Sequence, residues 1–257
     1  MVSPPLKIDG VWKGYPRGAQ WIEVLANVSF KVERGEVVAV TGSRLAGKTT
    51  LLKIAAGMEQ PDKGSVLLCG GVKTDCSDGE RSRLLGREVV WLDRDGPGLN
   101  VEVSRFVGLP LALHGHGRRQ AERGAARVLE RVGARKCQGR HWGELSSWQR
   151  ALVGLARAFA GRPQLIVIDG LLDGLGGPAT EEASDLLRSL IEESESSCGV
   201  LMSASDIESA MFADRVWSIT GKRSLKLMAG PHRDGKVVPF PDRDRTRPRG
   251  SLGVGSS

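Results

Sequence analysis

The stretch Gly-Ser-Arg-Leu-Ala-Gly-Lys-Thr, residues 42–49, decides the fold of this chain. It fits the pattern G-x-x-x-x-G-K-S/T, a loop that cradles phosphate groups. Upstream, residues 36–41 (Glu-Val-Val-Ala-Val-Thr) read as a short buried strand; downstream, residues 49–56 (Thr-Thr-Leu-Leu-Lys-Ile-Ala-Ala) read as a helix ending near Gly57. Strand, loop and helix in that order make a physical site. The loop amides and the helix N-terminus aim N–H groups at one place and attract anionic oxygens. The candidate nucleotide contacts are Gly42, Ser43, Arg44, Leu45, Ala46, Gly47, Lys48, Thr49 and Thr50. Lys48 is expected to reach the β- and γ-phosphates, and the Thr49 hydroxyl to ligate Mg²⁺.

A chain of 257 residues, 40% apolar and 26% charged, is of globular composition and long enough for one large domain. Its apolar runs, such as residues 165–168, are too short to span a bilayer, and the first residues lack the apolar core of a signal peptide. A cytoplasmic chain is therefore expected. Cys69, Cys76, Cys137 and Cys198 are scattered without a C-x-x-C pair, which favours reduced structural thiols over a zinc site. The His114-Gly-His116 step has no Cys or carboxylate cluster beside it and reads as a solvated loop. The net charge of +7 calls for an acidic partner, but six Lys/Arg against three Asp lie in residues 231–257. That tail is rich in Pro, Gly, Arg and Ser, has no periodic apolar face, and is expected to be disordered.

Residues 7–12, 28–32 and 36–41 read as short strands, followed by strands at 64–68 and 89–92. From about 94 to 150 the pattern turns helical. Ala121, Ala125, Val128, Leu129 and Val132 share one helix face, which Gly133 can end. A second amphipathic helix is expected over 149–160, with Leu152, Leu155, Ala156 and Phe159 on its apolar side. A buried strand at 165–168, a helix at 180–191, a strand at 199–203, a short helix at 206–212 and strands at 215–220 and 224–228 complete the pattern. Strands alternating with helices around a phosphate loop predict an α/β P-loop NTPase core. Its sheet is mostly parallel, with an N-terminal antiparallel β subdomain and a helical insertion. Residues 1–230 form the nucleotide-binding domain in this reading, with the helical subdomain at about 94–150.

Leu165-Ile-Val-Ile-Asp169 is an apolar strand ending in a carboxylate. Open α/β sheets place ligands at the carboxyl ends of their strands, so Asp169 is expected beside the loop, holding Mg²⁺ through water. With these residues in place, the chain resembles the nucleotide-binding subunit of an ABC transporter over residues 6–228. Tyr15 lies where the family has its adenine-stacking aromatic. Residues 25–42 are similar to the family's approach to its phosphate loop. Leu145, Ser146, Ser147, Trp148 and Gln149 resemble the signature motif, Asp169 the Walker B Asp, and Ala213-Asp-Arg-Val216 the stretch after the switch histidine. The resemblance implies a dimer sandwiching two ATP molecules between phosphate loops and opposing signature motifs. It also implies docking of the helical insertion on a membrane-embedded permease, at the inner face of the membrane. Homodimer and heterodimer both stay open.

Several positions depart from the family pattern. Gly170 stands where the family has a water-polarising Glu, and Ser205 where it has the switch histidine. No Gln occurs between residues 61 and 119, and Asp93 is the nearest candidate for the family's γ-phosphate-sensing Gln. Two signature glycines are replaced by Ser147 and Trp148, or lost to a short deletion, while Ser146 is retained to bond a γ-phosphate. The Asp of the dimer-contact loop becomes Gly176, and Leu45 stands where the family usually has Gly. Groups that bind phosphate and Mg²⁺ are kept, and groups that activate water are not. The expected function is an ATP-binding transporter subunit with slow or partner-dependent hydrolysis, in which Asp173 is the candidate substitute carboxylate. The alternative is a soluble nucleotide-gated regulator. A nucleic-acid partner is not expected: with one Tyr and five Phe there is no single-strand stacking platform. Trp148 is expected to touch a partner or nucleotide, Trp91 and Trp217 to lie in the core, and Trp12 to be buried or to share the adenine face.

Overall fold

The computed structural model describes residues 3–73, 87–194, 198–221, 223–231 and 237–239. Strand β3 (Val37–Thr41) lies inside a seven-stranded sheet and is buried along its whole length. Its alternation explains why. Val37 and Ala39 point into one hydrophobic core, Val38 and Val40 into a second core on the other face. The same alternation runs through β6 (Val89–Asp93), β7 (Leu165–Asp169) and β8 (Gly199–Ser203). Ile166 and Ile168 enter the first core, Leu165 and Val167 the second. Strands buried on both faces read as continuous apolar runs, which is why these were legible.

With β9 (Arg215–Ile219), β10 (Leu225–Pro231) and β11 (Val237–Pro239), the strand order is β11-β10-β9-β3-β8-β7-β6. The pairs from β9 to β6 are parallel, and β10 and β11 add antiparallel. Helix α1 (Lys48–Ala55) contributes Leu51, Leu52 and Ile54 to the second core. So does a four-stranded antiparallel sheet of order β2-β1-β4-β5, built from β1 (Leu6–Arg17), β2 (Gln20–Val32), β4 (Lys63–Leu68) and β5 (Val72–Lys73).

The first core is covered by α2 (Val103–Leu113), α3 (Arg118–Arg131), α4 (Ser147–Ala160) and α5 (Gly177–Glu192). On α3, Ala121, Ala125 and Leu129 are buried as the spacing requires. Helix α4 is buried on most sides, not on one stripe: Ala151, Val153 and Ala158 join Leu152, Leu155 and Ala156. Small residues at these places let the helix pack between the sheet and its neighbouring helices. Cys69, Cys137 and Cys198 are free thiols, and burial pushes those of Cys69 and Cys198 up to about 12, so both stay unreactive. Cys76 lies outside the described residues.

The structure corrects several expectations. The first two strands are longer than residues 7–12 and 28–32 and form one hairpin, with Arg17 paired to Gln20 across a two-residue turn at Gly18-Ala19. The outer half of this hairpin is exposed, so no apolar alternation marks it. Residues 206–212 do not form a helix. The Asp206 carboxylate accepts the Ser209 N–H (2.7 Å) and the Ser205 hydroxyl (2.9 Å), and only a 3-10 turn at Glu208–Ala210 follows. The tail is not irregular from residue 231. The β-branched pair Val237-Val238 builds β11 against Ala229–Pro231. The rest of the tail lies outside the described residues.

Asp214 ties the start of β3 to α5. Its carboxylate accepts the Val37 N–H (2.7 Å) and both Arg188 terminal nitrogens (3.0 and 3.1 Å), while its own N–H donates to the Val37 carbonyl (2.8 Å). Bonds to charged groups contribute about 1.5–3 kcal/mol each, so Asp214→Ala is expected to lower stability by at least about 2 kcal/mol. A chemical denaturation midpoint equal to the wild type's would contradict this.

Candidate functional site

The loop after β3 enters α1 through Gly47, whose φ is 103° and which supplies no side-chain cap. A Cβ at this glycine would meet Val24 Cγ1 at 2.6 Å, so β2 packs directly under the loop. The first-turn N–H groups of α1 have no intrahelical acceptor and face the loop's open side. Lys48 Nζ arches back over the loop and donates to the carbonyls of Gly42 (2.6 Å) and Ser43 (3.4 Å). This holds a cation above the same amides. Leu45 takes φ 65° and is exposed, so a leucine adopts the left-handed backbone natural to glycine. Ser43, Arg44, Ala46, Thr49 and Thr50 sit on the loop and the first turn, as expected from the sequence.

Tyr15, on β1, reaches the same helix from the antiparallel sheet. Its hydroxyl donates to Glu59 Oε1 (2.5 Å) and lies 3.4 Å from Thr50 Oγ1. Lys13 Nζ stands 5.4 Å from the ring centroid and pairs with Glu59 (3.4 Å) and Asp62 (3.2 Å). The exposed ring is thus held by its polar end at the edge of the phosphate loop. Burial and the Glu59 carboxylate both raise the phenol's pKa, so it stays neutral. Trp12 is half-buried on the same strand.

Asp169 ends β7, and β8 lies between it and β3. Two strand spacings, roughly 10 Å, therefore separate the two halves of the site. Ser203, at the end of β8 and 3% exposed, spans the gap. Its hydroxyl donates to Asp169 Oδ1 (2.9 Å) and accepts the Gly170 N–H (2.9 Å). Asp93 lies opposite Asp169 in the β6–β7 register. Its oxygens take the Trp91 indole N–H (2.8 Å) and the Gly96 N–H (2.8 Å), so the carboxylate shapes the turn that follows it. Arg94 then reaches across and donates to the carbonyls of Gly170 (3.3 Å) and Asp173 (3.0 Å). Ser203 and Arg94 were missed in the sequence. A serine closing a buried strand was the available signal for the first, and nothing local marks the second. The oxygens of Thr49 and Asp169 are hard donors of the kind Mg²⁺ takes, and the Ser203 bond engages Asp169 Oδ1.

The sequence profile described as ABC transporter matches residues 25–171, more than half of the chain. This protein belongs to the ABC transporter ATP-binding family. It is 30% identical to the methionine import ATP-binding protein MetN 1 of Rhodococcus jostii, over 93% of this chain and 72% of that protein. It is 31% identical to the lipoprotein-releasing system ATP-binding protein LolD of Hahella chejuensis, over 77% of this chain and 86% of that one. The fold matches a post-hydrolysis dimer of the cassette MJ0796 bound to ADP and Pi, with a TM-score of 0.77 at 24% identity, over 86% of this chain and 96% of that one. The chain is an ATP-binding subunit of ABC-transporter type with the cassette fold. Among the described residues no helix is long and apolar enough to cross a membrane.

Residues 145–149, expected from the sequence to resemble the signature motif, lead into a helix. Ser146 caps α4: its hydroxyl accepts the Gln149 N–H (3.3 Å), and the Gln149 side chain accepts the Ser146 N–H (3.1 Å). This capping box starts the helix at Ser147, two residues earlier than the apolar pattern predicts. Leu145 is buried, and Trp148 packs half-buried on the first core. Trp91 and Trp217 are only partly buried, against the second core, whereas Trp142 is the fully buried indole. Ser205 is exposed and bonded to Asp206, and Gly176 caps α5 with φ 85°.

Ser203→Ala leaves the Gly170 N–H without its acceptor and frees Asp169. A loss of about 1–3 kcal/mol is expected, read as a lower denaturation midpoint. Gly170 has φ +66°, so Gly170→Glu, which restores the family residue, is expected to destabilise by about 1–2 kcal/mol. A melting temperature equal to or above the wild type's would contradict a left-handed residue 170.

Proposed function

We propose that this subunit binds ATP with Mg²⁺ in the loop from Gly42 to Thr50, with Asp169 holding the ion through water and Tyr15 stacking on adenine. It sits at the inner face of the membrane on a permease that its helical insertion contacts, and it pairs with a second cassette, identical or not. The observation that carries this reading is the convergence of loop amides, Lys48 Nζ and the Ser203-held Asp169 at the carboxyl ends of three neighbouring strands. Hydrolysis is slow or partner-dependent. Residue 170 carries no side chain to polarise water, and loss of a base from its usual position typically costs roughly 10²–10⁴-fold. Relatives of similar identity include an import subunit and a lipoprotein-releasing subunit, so cargo and direction belong to the membrane subunit and not to this chain. Nothing among the relatives named favours the soluble regulator.

Lys48→Ala is expected to weaken ATP binding at least about tenfold, because the loop loses the cation arched over it. Titration with a fluorescent ATP analogue measures this, and equal affinities would count against the loop as the site. Chelating Mg²⁺ with EDTA is expected to abolish phosphate release above the Lys48→Ala background. Extraction from native membranes in mild detergent tests the partner: a co-purifying permease is expected, and only soluble companions would refute it.

A further inference from the structure

We propose that Asp173 is the catalytic base of this subunit, holding the water that attacks ATP in place of a side chain at residue 170. The proposal rests on the nucleotide site described above and assigns it a reacting group. The chain after β7 turns back on itself: the Asp173 N–H lies 3.3 Å from the Gly170 carbonyl, and Arg94 grips the carbonyls at both ends of the turn. The turn delivers the carboxylate to residue 170. Asp173 Oδ2 lies 3.6 Å from the place that a Cβ on Gly170 would take, in ordinary van der Waals contact. A carboxylate thus stands at the end of the Asp169 strand without being part of residue 170.

This carboxylate is half-buried and lies within the electrostatic reach of the phosphate loop. Lys48 from the phosphate loop, Arg94 from the turn after β6 and Asp169 from β7 all act on it electrostatically, and the Ser205 N–H faces it. Burial raises the Asp173 pKa above its ordinary value, the direction that makes a carboxylate a stronger base. The chemistry balances with ATP and water alone. The water oxygen bonds to the γ-phosphorus as the bond from phosphorus to the β–γ bridging oxygen breaks, and that electron pair leaves on ADP. The water proton is taken by Asp173 and passed to the phosphate product, which regenerates the carboxylate.

The test uses the full chain and three readings: melting temperature, affinity for a fluorescent ATP analogue, and phosphate release from Mg-ATP above the Lys48→Ala background. Asp173→Asn is expected to melt and bind nucleotide as the wild type does, while phosphate release falls by roughly 10²-fold or to background. Asp173→Glu, which keeps a carboxylate on a longer stem, is expected to retain a measurable rate; a merely structural turn residue would show the opposite order. If Asp173→Asn fails to fold, Asp173→Ser serves in its place with the same expectation. Phosphate release by Asp173→Asn at the wild-type rate overturns the proposal and leaves the binding site standing. So does a wild type no faster than Lys48→Ala, alone and on its native permease. A wild type that does not bind nucleotide overturns both readings.

Discussion

The structure depends on one strand being buried on both of its faces. Val37, Val38, Ala39 and Val40 are fully buried, and successive side chains enter opposite cores. A strand in that position cannot shift register by one residue without exchanging its two faces, so its end is located to within a residue. The phosphate loop inherits that precision. Asp214 fixes the other end of the strand through Val37, and the Arg215–Glu36 pair (2.5 and 2.8 Å) closes the same corner. The loop can therefore be built from glycines and a leucine in a left-handed conformation, because its position is imposed from below.

Binding and hydrolysis draw on different parts of this architecture. Phosphate recognition, as proposed, uses backbone N–H groups and one lysine, which come with the strand–loop–helix unit and survive any change that keeps it folded. In the proposed site, the positions that bear on water activation, 170, 173 and 205, lie on the turns after β7 and β8. These turns are half-exposed, so their residues can change without touching either core. Ser203 and Arg94 hold that region by hydrogen bonds to backbone and to Asp169, not by packing. Divergence of the reacting groups above a constant cradle is what this division of labour permits.

The legible parts of the sequence were those governed by local rules. The phosphate loop, the apolar runs of β3, β7 and β8, and the helix faces of Ala121–Leu129 follow from spacing alone. The hairpin beyond Trp12 was not legible, because its outer half faces solvent and its pairing is set by a two-residue turn. The segment at 206–212 has helical spacing, but the Asp206 side chain competes with the backbone ladder and stops it after one turn. Ser203 acts across two strands and Arg94 across 76 residues of chain, so no window of sequence contains either interaction.

Gly170 and Leu45 together explain why the departures from the family pattern need not be losses. Leu45 keeps a glycine-like backbone at a place where its side chain points to solvent, so the loop retains its shape at a strain of about 1–2 kcal/mol. Gly170 works in the reverse sense. Its left-handed conformation is what turns the chain sharply enough for the residue three places on to come back against it. A glutamate there would strain that backbone and set a second carboxylate against Asp173. The missing side chain and the returning carboxylate are thus one structural feature, and restoring the first would disturb the second.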